Sequence, residues 1–69
     1  MEDISYNEVV TLLMPGTTKI LTLAAAVREV IYTKDAPVRR SAVITRGGPP
    51  MMKFADIDAI YARADFPNR

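Results

Sequence analysis

Cysteine, histidine and tryptophan are all missing from the 69-residue sequence. Without cysteine there is no disulfide and no thiolate metal site. Without histidine the chain lacks the commonest metal ligand and the commonest general base near neutral pH. Aromatic residues are few, three Tyr and two Phe, so the core must be mostly aliphatic. Chemistry would have to come from eight carboxylates, three Tyr and nine Lys or Arg. No nucleophile–base pair, metal constellation or phosphate loop is spelled among them. The expectation is a protein that is not an enzyme and that takes no cofactor, no metal and no small-molecule substrate.

Long apolar runs are also scarce. The stretch from Ile20 to Val27 contains Thr22 and closes at Arg28, far too short to span a bilayer. Met1-Glu2-Asp3 is acidic where a secretory signal would be basic. A soluble, cytoplasmic chain with no membrane partner is expected. What the sequence does have is a hydrophobic fraction of 49%, enough for one compact core. A domain this small buries only about 60% of the surface its unfolded chain exposes, so its stability is marginal.

The net charge of +1 conceals an uneven split. Residues 1–37 carry five acidic and three basic groups, and residues 38–69 carry six basic and three acidic. Arg39, Arg40, Arg46 and Lys53 fall within a stretch, residues 38–53, that has no acid at all. A local basic segment in a near-neutral protein is what a focused phosphate contact requires.

Four helices are expected along the chain. Ser5-Tyr6-Asn7-Glu8 fits a capping box, with Ile4 and Val9 placed as a hydrophobic staple. Val9, Val10, Leu12, Leu13 and Met14 would form the apolar face of that first helix, and Pro15-Gly16 would stop it. Thr22 can cap a second helix, whose Leu23, Ala26, Val27, Val30 and Ile31 recur at helical period. Asp35 can cap a third, from Ala36 to Arg46, with Pro37 in its first turn and Gly47 after its end. The β-branched run Ala42-Val43-Ile44-Thr45 leaves an alternative open, a strand that turns at Gly47-Gly48-Pro49-Pro50 into Met51–Phe54. A last helix begins at Asp56, with Ile57, Ile60, Tyr61 and Ala64 on one face, and Pro67 ends it. Met51-Met52 reads as core or wing packing.

This order suits a helix-turn-helix, in which the second helix enters the major groove of DNA while the first braces it. In the third helix Arg39, Arg40 and Arg46 would project outward, with Arg39 and Arg46 seven apart on one face. Arg39, Arg40 and Ser41 lie toward its N-terminal half, the end that approaches base edges. Arg46 and Lys53 flank the loop and would touch phosphates, as would Thr33, Lys34 and the first backbone N–H groups of the helix. The plainer alternative for these cations is an ordinary solvated face. Asp56 and Asp58 are helix-start residues, not a catalytic pair, because at i and i+2 they point to different faces.

The stretch from Leu21 to Arg63 resembles the excisionase-family winged helix-turn-helix, which is related to MerR-type DNA-binding domains. The resemblance is carried by Leu21-Thr22 opening a helix, by Ala26 within it, and by Ile44-Thr45-Arg46-Gly47-Gly48-Pro49-Pro50. Lys53-Phe54 and Asp56-Ile57-Asp58-Ala59-Ile60-Tyr61 complete it. The turn at Tyr32–Ala36 departs from the family by lacking its glycine, and the interval from Pro50 to Asp56 is short for a full wing. The resemblance implies a recombination directionality factor or small transcription regulator of a phage or integrative element. It would bind repeated sites on double-stranded DNA, self-associate there or as a homodimer, and act beside a recombinase (integrase).

The resulting expectation is a mostly α, small winged helix-turn-helix domain of about four helices with a short or rudimentary β wing. Residues 1–16 would be its N-terminal helix, 21–46 the helix-turn-helix, 47–54 the loop or wing and 55–66 the C-terminal helix. The competing reading is a protein-interaction module, antiactivator- or antitoxin-like, that keeps the shape without binding DNA. The near-neutral charge and the apolar Met14, Met51 and Met52 favour that reading.

Overall fold

A computed structural model describes residues 5–47 and 51–67. Ile4 of the expected staple, the Gly48-Pro49-Pro50 break and the ends Met1–Asp3 and Asn68-Arg69 lie outside the described residues. The chain runs through β1 (Val9–Met14), β2 (Thr17–Thr22), α1 (Leu23–Ile31), α2 (Ala36–Ser41), β3 (Val43–Thr45) and α3 (Phe54–Tyr61). The strands form one antiparallel sheet in the order β2-β1-β3. This α/β architecture overturns the expectation of a mostly α, four-helix winged helix-turn-helix domain.

The largest correction falls on residues 6–14, expected as a helix. Val9-Val10-Thr11 is β-branched and resists helix, while Val10, Leu12 and Met14 alternate with Val9, Thr11 and Leu13 between the two faces of the strand. Pro15 fixes φ at the first corner of the turn, and Gly16, at φ +76°, supplies the left-handed second corner. Thr17-Thr18-Lys19-Ile20-Leu21-Thr22 then returns in register, Met14 opposite Thr17 and Val9 opposite Thr22. The motif that resembled a capping box makes a turn instead, in which the Glu8 N–H donates to the Ser5 carbonyl at 3.2 Å.

Thr22 ends β2 and caps α1, its Oγ1 accepting from the Ala25 N–H at 3.3 Å. Leu23, Ala24, Ala26, Val27 and Val30 turn inward from α1. Asp35 caps α2 by accepting from the Val38 N–H at 3.4 Å, with Pro37 in the first turn. The helix stops at Ser41, five residues short of the expected Arg46. From Ala42 the backbone is extended, and Ile44 pairs with Leu12 on one side and bridges to Met52 on the other. Pairing with β1 decides this segment, because it buries Ile44 completely, worth roughly 1.5–3 kcal/mol for a side chain of that size.

α3 starts at Phe54, two residues before the expected Asp56, whose carboxylate accepts from the Lys53 N–H at 3.2 Å. It ends at Tyr61, so Ala64 and the expected stop at Pro67 lie beyond it. Ile57 is its buried contact with the core. The core lies between the inner sheet face (Val10, Leu12, Ile44), α1, Ala42, Ile57 and Phe66. No polar or charged residue among those described is buried. Among the described residues no helix is long and apolar enough to cross a membrane.

Candidate nucleic-acid interface

Arg39 is the centre of the arrangement that gathers the expected site residues. It sits in the last turn of α2, half-buried, and its Nη1 donates to the Thr33 carbonyl at 3.0 Å. Its guanidinium also lies over the Phe54 ring, 5.9 Å from the centroid. A charged hydrogen bond is worth about 1.5–3 kcal/mol and a partly exposed cation–π contact about 0.5–1 kcal/mol. Arg39 thereby ties α2 to the α1–α2 turn and to the start of α3.

This tie brings three further cations around one corner of the molecule. Lys34 follows Thr33 directly, Lys53 precedes Phe54 directly, and Arg40 is the neighbour of Arg39 itself. All three are exposed. None forms a salt bridge with another described residue, in contrast to Lys19 with Glu29 (2.6 Å), Arg46 with Glu8 (3.2 Å) and Arg63 with Asp65 (3.0 Å). Asp35, Asp56 and Asp58 stand in the same region; Asp35 and Asp56 accept from backbone N–H groups at the starts of α2 and α3. Ser41 is exposed at the end of α2, beside Arg40.

Other expected positions are placed differently. The shared helical face of Arg39 and Arg46 does not exist, because the helix ends between them; Arg46 stands beyond β3, held by Glu8. The Thr33 hydroxyl turns back to donate to the Glu29 carbonyl at 2.8 Å and is not presented outward. Nor does the start of α2 invite a phosphate, since the Asp35 carboxylate already occupies it. Met52 is half-buried against Ile44, whereas Met51 is exposed.

A second corner joins residues from opposite ends of the chain. Phe66 is buried against the Tyr6 and Tyr61 rings, at centroid distances of 5.4 and 5.1 Å. The Tyr6 hydroxyl donates to Asp65 Oδ1 at 2.8 Å, and Arg63 reaches both Asp65 oxygens at 3.0 and 3.2 Å. The hydrogen bond from Arg63 holds the Asp65 carboxyl below the usual carboxylate range, and the same bond raises the Arg63 guanidinium further. Partial burial and the bond to Asp65 push the Tyr6 hydroxyl up. Arg28, over the Phe66 ring at 6.0 Å, donates to the Pro67 carbonyl at 3.0 Å. A separation of 59 residues joins Tyr6 to Asp65, which no local pattern encodes.

A hollow of about 480 Å³ runs along α1, lined by Ala25, Arg28, Glu29, Tyr32 and Thr33. Arg28 and Glu29, its charged walls, are already engaged by Pro67 and Lys19. No protein-family model, no curated protein and no solved structure matches the chain.

Proposed function

We propose that the protein binds double-stranded DNA, without catalysis and without a cofactor, through the corner formed by Lys34, Arg39, Arg40, Ser41 and Lys53. The observation that carries this reading is the Arg39 tie, which holds three cations with no ionic partner around one point of the surface. Phosphate oxygens are the acceptors that such unpaired cations fit, and the spacing of a duplex backbone offers several together. Arg40 and Ser41, exposed at the end of α2, are the candidates for base contacts. The resemblance over residues 21–63 supports a narrower role in a cytoplasmic setting. In that role the protein is a small regulator or directionality factor of a mobile element, acting beside a recombinase.

Fluorescence anisotropy with a generic duplex and a single strand, at two salt concentrations, tests the reading. Duplex binding with a log–log salt slope of about −3 is expected, since each of three neutralised phosphates contributes about 0.9. Absence of duplex binding at low salt overturns it. A second reading, a protein-interaction module that leaves nucleic acid alone, is favoured by one observation. The outer face of the sheet is uncharged, with Val9 65% and Ile20 75% exposed.

A further inference from the structure

The order β2-β1-β3 leaves β2 at one margin of the sheet. Which of its backbone groups face the open side follows from the far strand. Ile44 exchanges both of its hydrogen bonds with Met52, at 2.9 and 2.8 Å, so it exchanges none with Leu12, its partner in register. Leu12 therefore directs its N–H and C=O to Lys19 in β2. Alternation then turns the backbone groups of Thr18, Ile20 and Thr22 outward. The Leu23 N–H, donating back to the Glu8 carbonyl at 2.8 Å, keeps the same alternation.

Natural edge strands are guarded by proline, bulges, short length or outward charge. β2 has six residues and no proline. Its single charge, Lys19, lies on the inner face and is bound by Glu29 at 2.6 Å. The outer face continues without charge through Thr18, Ile20 and Thr22 to Val9, Thr11 and Leu13. Two such faces stacked on each other would cover only on the order of 250 Å² each at ordinary strand dimensions, against about 800 Å² per partner for a stable interface. Backbone pairing along the edge is the contact this surface favours.

We propose that β2 pairs antiparallel with β2 of a second copy of this chain, across a two-fold axis at Ile20, to give a continuous six-stranded sheet. The strand is self-complementary in this register. Ile20 meets Ile20 and Thr18 meets Thr22 on the outer face, both favourable β-branched pairs, while Lys19 meets Leu21 on the inner face. Centring on Lys19 would oppose two ammonium groups and use backbone groups already bound to β1. Four hydrogen bonds join the copies. Each Ile20 N–H donates to the other Ile20 carbonyl, and each Thr22 N–H donates to the other Thr18 carbonyl. The Thr22 carbonyl is left to α1, whose first turn it accepts. The inference does not rest on the DNA reading.

Sedimentation velocity on the full chain from about 10 μM to about 1 mM, a range suited to a small interface, tests it. The weight-average mass is expected to rise from 7.6 kDa toward twice that value. Amide exchange at Ile20 should slow over the same range. Ile20→Pro removes the outward N–H together with the exposed Ile20 side chain and leaves the bonds to β1 in place. It should hold the mass at 7.6 kDa with an unchanged circular dichroism spectrum. Should that variant fail to fold, Ile20→Arg, at a side chain 75% exposed, carries the test by opposing two charges at the axis. A wild-type chain that stays monomeric throughout overturns the proposal. So does a dimer that survives Ile20→Pro in folded form, because stacking of faces would tolerate the loss of an N–H.

Discussion

Arg28 and Arg39 use the same device at two corners of the molecule. Each places its guanidinium about 6 Å from the centroid of a phenylalanine ring, and each donates to a main-chain carbonyl at 3.0 Å. The surroundings differ. Arg28 closes the chain, holding Pro67 and Phe66 against α1, in company with the Tyr6–Asp65–Arg63 bonds that pair Arg63 with Asp65. Arg39 holds α2, the preceding turn and the start of α3 together, and leaves the cations beside it without partners. One guanidinium–ring clamp therefore finishes a fold and the other presents charge. What distinguishes them is whether the acids in the corner pair with its cations, as Asp65 does with Arg63, or accept from helix-start backbone, as Asp35 and Asp56 do.

Four experiments test the contrast between the two corners. Removing the ring at the closing corner has the largest effect. Phe66→Ala should cost about 3–5 kcal/mol, the usual range for a buried phenylalanine, and in a domain this small the chemical denaturation midpoint should collapse. Next come the two arginines. Arg28→Ala and Arg39→Ala should lower stability by similar amounts, roughly 2 kcal/mol each, the low end of a charged hydrogen bond plus a cation–π contact. Only Arg39→Ala should also weaken duplex binding, by about tenfold or roughly 1.4 kcal/mol, because it releases the elements that carry Lys34 and Lys53. Equal loss of affinity in both variants would end the distinction between the corners.

Smaller effects belong to single cations. Lys34→Gln, Arg40→Gln and Lys53→Gln should each reduce the salt slope by about 1 while leaving thermal stability unchanged. Arg46→Gln, whose cation is paired with Glu8, should change the slope less. The smallest effect is the pH response of the closing corner. The Asp65 carboxyl is held below its ordinary range in the folded state, so its contribution is present above that range and is lost as pH falls through it, below about pH 4. The Tyr6 hydroxyl is raised, so its contribution is present below the ordinary tyrosine range and is lost as pH climbs through it, above about pH 10. Asp65→Asn should flatten the acid limb of a thermal melt series, and Tyr6→Phe the alkaline limb.

The parts legible in the sequence were those written in adjacent residues. Thr22 and Asp35 cap the helices they were expected to cap, because a cap is a local bond between a side chain and an N–H three residues on. The hairpin was hidden by ambiguous punctuation. Pro15-Gly16 can stop a helix or turn a strand, and Ser5–Glu8 spells a capping box without making one. The β-branched run on each side of a two-residue turn, Val9-Val10-Thr11 and Thr17-Thr18-Lys19-Ile20, is the signal that separates the two cases. β3 was open for a different reason. Both of its ends carry helix punctuation, and only partners 32 residues away, Leu12 for Ile44, settle it.

The candidate site divides in the same way. Arg40 and Lys53 could be named from the acid-free stretch 38–53, and Lys34 from the turn before it; all three are exposed. That Arg39 bends back to Thr33 and Phe54, or that Arg46 is taken by Glu8, depends on which elements the fold brings together.

Thr22 belongs to two elements at once, the last residue of β2 and the cap of α1, with no linker between them. A slip of the strand by one position would uncap the helix and carry Ile20 from the outer face to the core side in the same movement. The helix thus acts as a register pin for the margin of the sheet, and the two cannot loosen separately. Strand and helix should open as one cooperative unit in native-state hydrogen exchange, so the edge most open to a second chain is also anchored by the most buried helix of the domain.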